Sequence, residues 1–249
     1  MCLRTKPCRR YILAEAVSKM LELKNIDSYY GESRVIEDLS FNVPKGKIVG
    51  FIGRNGVGKS TTLKSIMGIV KTPSGQVIFN GEDITKKPVY ERVKLGIGYV
   101  PQGRDIFPQM TVQENIELGL QPLGGKGTVP DYLFDLFPIL PKFAKRRGGD
   151  LSGGQQQQLA IARALAADPK ILILDEPTEG IQPSIIQDIG AAIKKINEWK
   201  GITVLLVEQY LDFVLQNTDM LYVMEKGKII YKNDTEAADG TEVQRLMTE

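Results

Sequence analysis

The stretch GRNGVGKS at 53–60 limits this chain more than any other. It fits G-x-x-x-x-G-K-[ST], a spacing in which glycines let successive backbone N–H groups close around a phosphate. An apolar run, KIVGFIG at 47–53, precedes the loop, and a helical pattern from about Lys59 to Gly68 follows it. Such a loop works only between a buried strand and a helix whose positive end faces the anion. The chain must therefore build an α/β sheet with that strand inside it. Gly53, Arg54, Asn55, Gly56, Val57, Gly58, Lys59, Ser60 and Thr61 are read as the nucleotide-binding set. Lys59 would reach the β- and γ-phosphates, and the Ser60 hydroxyl would ligate Mg²⁺.

The surrounding pattern agrees. LELKNIDSYYG and VIEDLSFNVPKG alternate with period two, as half-buried strands do. SGQVIFNGEDI (74–84) reads as a strand entering a turn at Asn80 and Gly81, and LGIGYVPQ (95–102) as a short buried strand. Two apolar runs, KILILDEP and GITVLLVEQ, flank a helical pattern at about 184–198, and DMLYVMEKGKIIYK (219–232) reads as a hairpin turning at Lys226 and Gly227. Buried strands alternating with helices predict a largely parallel sheet. Residues 103–150 change character: prolines at 108, 122, 130, 138 and 141 interrupt amphipathic pieces, so short helices joined by loops are expected. LSGGQQQQLAIARALAADP (151–169) reads as a longer helix with a Gly-Gly start.

ILILDE (171–176) places Asp175 and Glu176 at a strand's carboxyl end, the edge where open α/β sheets collect ligands. Beside a phosphate loop, Asp175 would hold Mg²⁺ and Glu176 would polarise the attacking water. ATP and Mg²⁺ are the cofactors this arrangement implies.

Composition removes other classes. Hydrophobic content of 42% and charged content of 25% are ordinary for a globular protein. Residues 1–19 carry five basic side chains against Glu15, a net +4; the whole chain carries +2, so the remainder is near neutrality at −2. Such a body does not advertise nucleic-acid binding. Cys2 and Cys8, with no histidine in the chain, make no zinc site of the usual kinds and read as free thiols. No run is long and apolar enough to span a membrane. The leader at 1–19 is expected to be disordered or to lie upstream of a true start at Met20.

Several motifs in order make the chain from Met20 onward resemble the ATP-binding subunits of ATP-binding-cassette (ABC) transporters. LSGGQ at 151–155 is identical to that family's signature. The resemblance implies a P-loop NTPase core with an N-terminal antiparallel β-subdomain and an α-helical subdomain inserted at 103–165, all within a domain at 20–249. It implies that Ser152, Gly153, Gly154 and Gln155 cap the γ-phosphate of ATP held by a second, identical or related subunit. A Ser-Gly-Gly helix start is physically suited to an anion. Gln102, ending IGYVPQ, matches the glutamine that links Mg²⁺ and attacking water to the transport partner, and Tyr30 matches the aromatic that stacks on adenine, with Tyr29 the alternative.

YVPQGRDIFPQMTVQENIELGL and LDEPTEGIQPSII resemble the subunits serving uptake of urea and short-chain amides, relatives of the branched-chain amino-acid importers. The resemblance thus implies membrane permease partners, an external solute-binding protein acting indirectly, and a place on the cytoplasmic face of the membrane. Segment 103–150 is the expected permease-docking surface, with GRDIFPQMT near its centre; its apolar residues Ile106, Phe107 and Met110 read as core of the small subdomain, docking falling to the surface they help shape. A non-transport ABC ATPase with an inserted coiled coil is disfavoured, because only 48 residues separate Gln102 from Leu151 and no heptads run through them.

Two positions depart from the broad family pattern. Gln182 stands where an aspartate is usual, and Gln209 where a histidine commonly contacts the reacting phosphate. They are the only support for a switch that binds nucleotide without hydrolysing it. A glutamine amide still offers donors and an acceptor, so hydrolysis is expected to survive. Without histidine, turnover is expected to lack a histidine-like titration between about pH 6 and 7.5.

Overall fold

The computed structural model describes residues 18–248. Residues 1–17, with Cys2, Cys8 and nearly all of the leader, lie outside the described residues. In chain order the strands are β1 Lys19–Tyr30, β2 Ser33–Pro44, β3 Ile48–Ile52, β4 Ser74–Phe79, β5 Glu82–Asp83, β6 Ile97–Val100, β7 Ile171–Asp175, β8 Thr203–Glu208, β9 Met220–Glu225 and β10 Lys228–Asp234. The α-helices are α1 Lys59–Met67, α2 Val89–Lys94, α3 Val112–Leu118, α4 Tyr132–Leu136, α5 Ile139–Lys142, α6 Gly153–Leu165, α7 Pro183–Lys200, α8 Leu211–Asn217 and α9 Gly240–Thr248.

Two sheets form. One is antiparallel with order β2-β1-β4-β5, and the other has order β10-β9-β3-β8-β7-β6. In the second, β3 pairs in parallel with β8 and β9, and β7 pairs in parallel with β6 and β8. Only β10 runs antiparallel, joined to β9 by a tight turn. Lys226 (φ 44°) and Gly227 (φ 80°) make that turn, and Asn80 (φ 47°) and Gly81 (φ 85°) make the one between β4 and β5. Two successive positive φ values match the right-handed twist of the flanking strands.

β3, β7 and β8 are buried at every residue, which accounts for their unbroken apolar runs. Alternate residues serve opposite faces. Leu172, Leu174, Val204 and Leu206 pack against the helical side of the core with α3, α6 and α7. Ile171, Ile173, Leu205 and Val207 pack against α1 and the antiparallel sheet. The phosphate-loop strand β3 packs Val49 and Phe51 into this second core and Ile52 into a third with α8 and α9, and its carboxyl end lies on the same edge as those of β6, β7 and β8.

Between β6 and β7 the chain makes the short helices that the prolines predict. Thr111 and Glu114 cap α3 reciprocally, and buried Asn115 accepts from Phe107 N–H and donates to nearby carbonyls, fixing the loop before it. The sequence pattern did not mark α2, α8 or α9. α2 has six residues and α8 seven, too short for a clear helical period.

Candidate functional site

β3 delivers the chain into the loop at Gly53, and only glycine fits its closest approaches. A Cβ on Gly53 would lie 2.5 Å from the Met224 carbonyl oxygen, and Gly58 sits at φ 111°, where a Cβ would meet Ile36 Cδ1 at 2.8 Å. The turn aims Lys59 back across the loop. Its Nζ donates to Gly53 O at 2.8 Å and Arg54 O at 3.0 Å. The same ammonium lies 3.4 Å from Glu176 Oε1, with both side chains buried.

A cavity of about 180 Å³ opens here, lined by Asn55, Gly56, Lys59, Ser60, Gln102 and Glu176 among others. Residues from three strand ends, far apart in the chain, meet in it. Ser60 Oγ donates to Asp175 Oδ1 at 3.1 Å. Gln102 Nε2 donates to Glu176 Oε2 at 3.3 Å and to Glu179 Oε2 at 3.0 Å. Burial pushes the Asp175 carboxyl up to about 6; the Ser60 hydrogen bond opposes this and the charge of Glu176 adds to it. Burial thereby brings Asp175 to the lower edge of the pH range in which the sequence holds no unperturbed side chain.

The donor set around Ser60 is a hydroxyl, a carboxylate and a primary amide. Among the described residues no group of three or more His, Cys, Asp or Glu could hold a metal. A hard cation that draws most of its ligands from water and phosphate oxygens suits such a site, and a softer metal does not. Behind it, the Tyr99 hydroxyl is buried without a hydrogen-bond partner. Burial and the nearby Asp175 charge raise its pKa, keeping the phenol protonated.

The other expected residues stand outside this cavity. Ser152 caps α6, accepting from Gln155 N–H at 3.4 Å while Gln155 Oε1 accepts from Ser152 N–H at 3.0 Å. Neither they nor Gly153 and Gly154 line the Lys59 cavity. Gly153 faces the Arg104 guanidinium, which would lie 3.1 Å from a Cβ there. Gln209 lines a separate depression with Gly53, Arg54, Asn55 and two residues of α9, Gln244 and Met247. Tyr30 is 48% exposed and borders a shallow hollow with Tyr29, Ile69 and Pro73. Gln182 is the N-cap of α7 and makes no side-chain capping bond.

Sequence reasoning passed over Glu208. This carboxylate ends β8 buried, accepting from Thr178 N–H at 2.9 Å and Gln209 N–H at 3.1 Å. The signal was a charged residue closing an apolar run beside the strand that carries Asp175.

Comparison with known proteins agrees with this geometry. A family model described as "ABC transporter" matches residues 36–179. A high-affinity branched-chain amino acid transport ATP-binding protein of Pseudomonas aeruginosa is 40% identical over 88% of this chain and 94% of its own length. A lipopolysaccharide export system ATP-binding protein of Haemophilus influenzae is 35% identical over 85% and 89% respectively. The solved ADP conformation of an ATP-binding cassette from an ABC transporter superposes with a TM-score of 0.76, at 34% identity over 93% of this chain and 95% of that one. With a phosphate loop, an acidic strand end and a signature helix in one fold, the chain belongs to the ABC transporter family, as one of its ATP-hydrolysing, nucleotide-binding subunits.

Proposed function

We propose that this chain is the ATP-driven motor subunit of an importer for small polar solutes. The observation that carries the reading is the meeting of Lys59, Ser60, Gln102 and Glu176 at one cavity, with Asp175 hydrogen-bonded to Ser60, while Ser152–Gln155 stands elsewhere. One copy thus holds the phosphate cradle and the water-activating group, but not the signature that completes it.

Lys59 and the loop N–H groups would bind the β- and γ-phosphates, with Arg54, Asn55, Val57 and Thr61 shaping the loop and Tyr30 against the base. Ser60, Asp175 and Gln102 would hold Mg²⁺, which when bound neutralises phosphate charge. Glu176 would orient the attacking water, with Gln102 fixing its carboxylate. Gln209, which lines a separate depression with Gly53 and Arg54, would donate an amide hydrogen to the terminal phosphate. Phosphoryl transfer needs positioning and electrostatics more than covalent chemistry, so a neutral amide suffices there.

Two copies, identical or related, would close head-to-tail so that each Ser152–Gly154 turn covers the other's ATP. The segment at 103–150 would supply the surface that meets the permease. Phe107 is 49% exposed there, whereas Ile106 packs into the core and Met110 borders an apolar groove with Val112, Leu140 and Pro141. No helix among the described residues is long and apolar enough to cross a membrane. By likeness to transport ATP-binding subunits, the subunit would sit peripherally on the cytoplasmic face beside its permeases, with an external solute-binding protein acting through them. Likeness to a branched-chain amino acid subunit supports solutes of that class. The segment GIQPSII is the specific support for urea or short amides instead.

The test is Glu176→Gln in the full chain with Mg-ATP. A motor loses turnover and accumulates as an ATP-bound dimer on size exclusion, whereas a nucleotide-gated switch changes little. Co-purification from membranes identifies the permease, and uptake of labelled leucine against labelled urea separates the two solute readings.

A further inference from the structure

Glu208 is 2% exposed, and burial pushes its carboxyl above the ordinary range. An isolated buried carboxylate is costly unless hydrogen bonds compensate it. Here both oxygens are spent on backbone. Oε1 accepts from Thr178 N–H at 2.9 Å, and Oε2 accepts from Gln209 N–H at 3.1 Å. One side chain thereby joins the loop leaving β7 to the loop leaving β8.

The β7 loop needs such a tie. Glu176 sits at φ 47°, a left-handed conformation that strains a residue with a Cβ. The turn is fastened to β8 at two points. Glu176 N–H donates to Val207 O at 2.9 Å, and two residues on Thr178 N–H reaches Glu208. With both in place the Glu176 side chain is aimed at Lys59 and Gln102. Strain at Glu176 persists because the ends of its turn are pinned.

We infer that Glu208 is a positioning residue for hydrolysis: it holds Glu176 in its left-handed turn and couples that turn to the Gln209 loop. The inference rests on the reading of Glu176 as the residue that orients the attacking water. Glu208 touches no reacting atom. Its effect is on where Glu176 and Gln209 stand, and misplacement by an ångström in such a site costs up to about a hundredfold in rate.

The experiment uses the full chain, with steady-state hydrolysis of Mg-ATP, ATP binding and thermal melting on the same preparations. Glu208→Gln keeps the shape. Its amide oxygen can serve only one of the two N–H groups; with the oxygen on the adjacent Gln209 N–H, Nε2 meets the Thr178 N–H donor to donor, so the tie to the Glu176 turn breaks. We expect kcat to fall about tenfold or more, KM for ATP to stay within about twofold, and the melting temperature to hold or rise, since a buried charge is removed. Glu208→Asp keeps the charge but is one methylene too short to serve both loops, and kcat should fall again. Parental kcat in Glu208→Gln overturns the inference. So does a fall in kcat accompanied by equal losses of ATP binding and melting temperature, as a purely structural cap requires. Glu176→Gln, run in parallel, separates the two readings: parental turnover there defeats the role of Glu176 itself, whereas loss there with parental Glu208→Gln defeats only the role of Glu208.

Discussion

Lys59 Nζ stands 3.4 Å from Glu176 Oε1, with neither side chain more than 6% exposed. The same ammonium also donates to Gly53 O and Arg54 O. The lysine that should bind phosphate is therefore held by the group that should activate water, and arriving phosphate must compete for it. Lys59→Met leaves Glu176 as an uncompensated buried charge, at a cost of about 3–5 kcal/mol. We expect a large drop in melting temperature together with loss of ATP binding. The double variant Lys59→Met/Glu176→Gln should recover most of the stability and none of the binding. Calorimetry and melting of the four proteins in the cycle check this.

Asp175 gives a pH dependence whose sign is fixed by burial. Its folded pKa of about 6 lies above the ordinary 3.8, so the folded chain holds this proton more tightly than the unfolded one. That contribution to stability is present below about pH 4 and lost as pH rises through about 6, a swing of about 3 kcal/mol. Asp175→Asn should therefore melt higher than the parent at pH 7.5 without nucleotide, and the gap should close near pH 4. With Mg-ATP the order should reverse, because the parent gains a cation ligand. Melting curves across pH, with and without Mg-ATP, decide the matter.

Ser152 separates a structural from a catalytic role. Its cap on α6 is exposed and long, so Ser152→Ala should cost no more than about 1 kcal/mol of stability. If its hydroxyl covers ATP in a second copy, hydrolysis should fall far more than stability. Mixing the variant with a Glu176→Gln chain should yield no more activity than the better composite site allows. Melting and turnover measured against protein concentration give both readouts.

Arg92 holds the other end of the phosphate-loop helix. Buried, it donates to Ser65 O, Ile66 O, Lys87 O and Thr85 O at 2.6–3.0 Å, and Gly68 packs so closely that a Cβ would meet the guanidinium at 2.8 Å. Arg92→Met removes the donors and strands several carbonyls, each worth about 1–3 kcal/mol. A loss of at least about 3 kcal/mol is expected in urea unfolding, with the denaturant slope unchanged.

Gln209 should tolerate change better than Glu176. Gln209→Ala removes one donor and should lower kcat by less than about a hundredfold, within the cost of losing a whole transition-state donor. Gln209→His should introduce an inflection in kcat between about pH 6 and 7 that the parent lacks. Rate profiles in Mg-ATP, where Asp175 is held by the cation, test the contrast.

The parts legible in the amino-acid order are those whose physics is local. A glycine spacing defines the phosphate loop, an unbroken apolar run marks a strand buried on both faces, and Asn80-Gly81 and Lys226-Gly227 announce their turns. Short elements such as α2 were not legible, since six residues carry too little period to read.

Residue order alone thus settles that a nucleotide-binding α/β sheet forms and that the phosphate loop, Gln102, Asp175 and Glu176 stand at strand ends. Their state follows from contacts between strand ends that lie apart in the chain. Lys59 is tied up by Glu176, Asp175 is pushed toward neutrality by burial, Gln209 lines a separate depression beside Gly53, and Glu208 pins two loops. Desolvation and hydrogen-bond geometry depend on what surrounds an atom, and that is a property of the packed molecule, invisible in any window of its sequence.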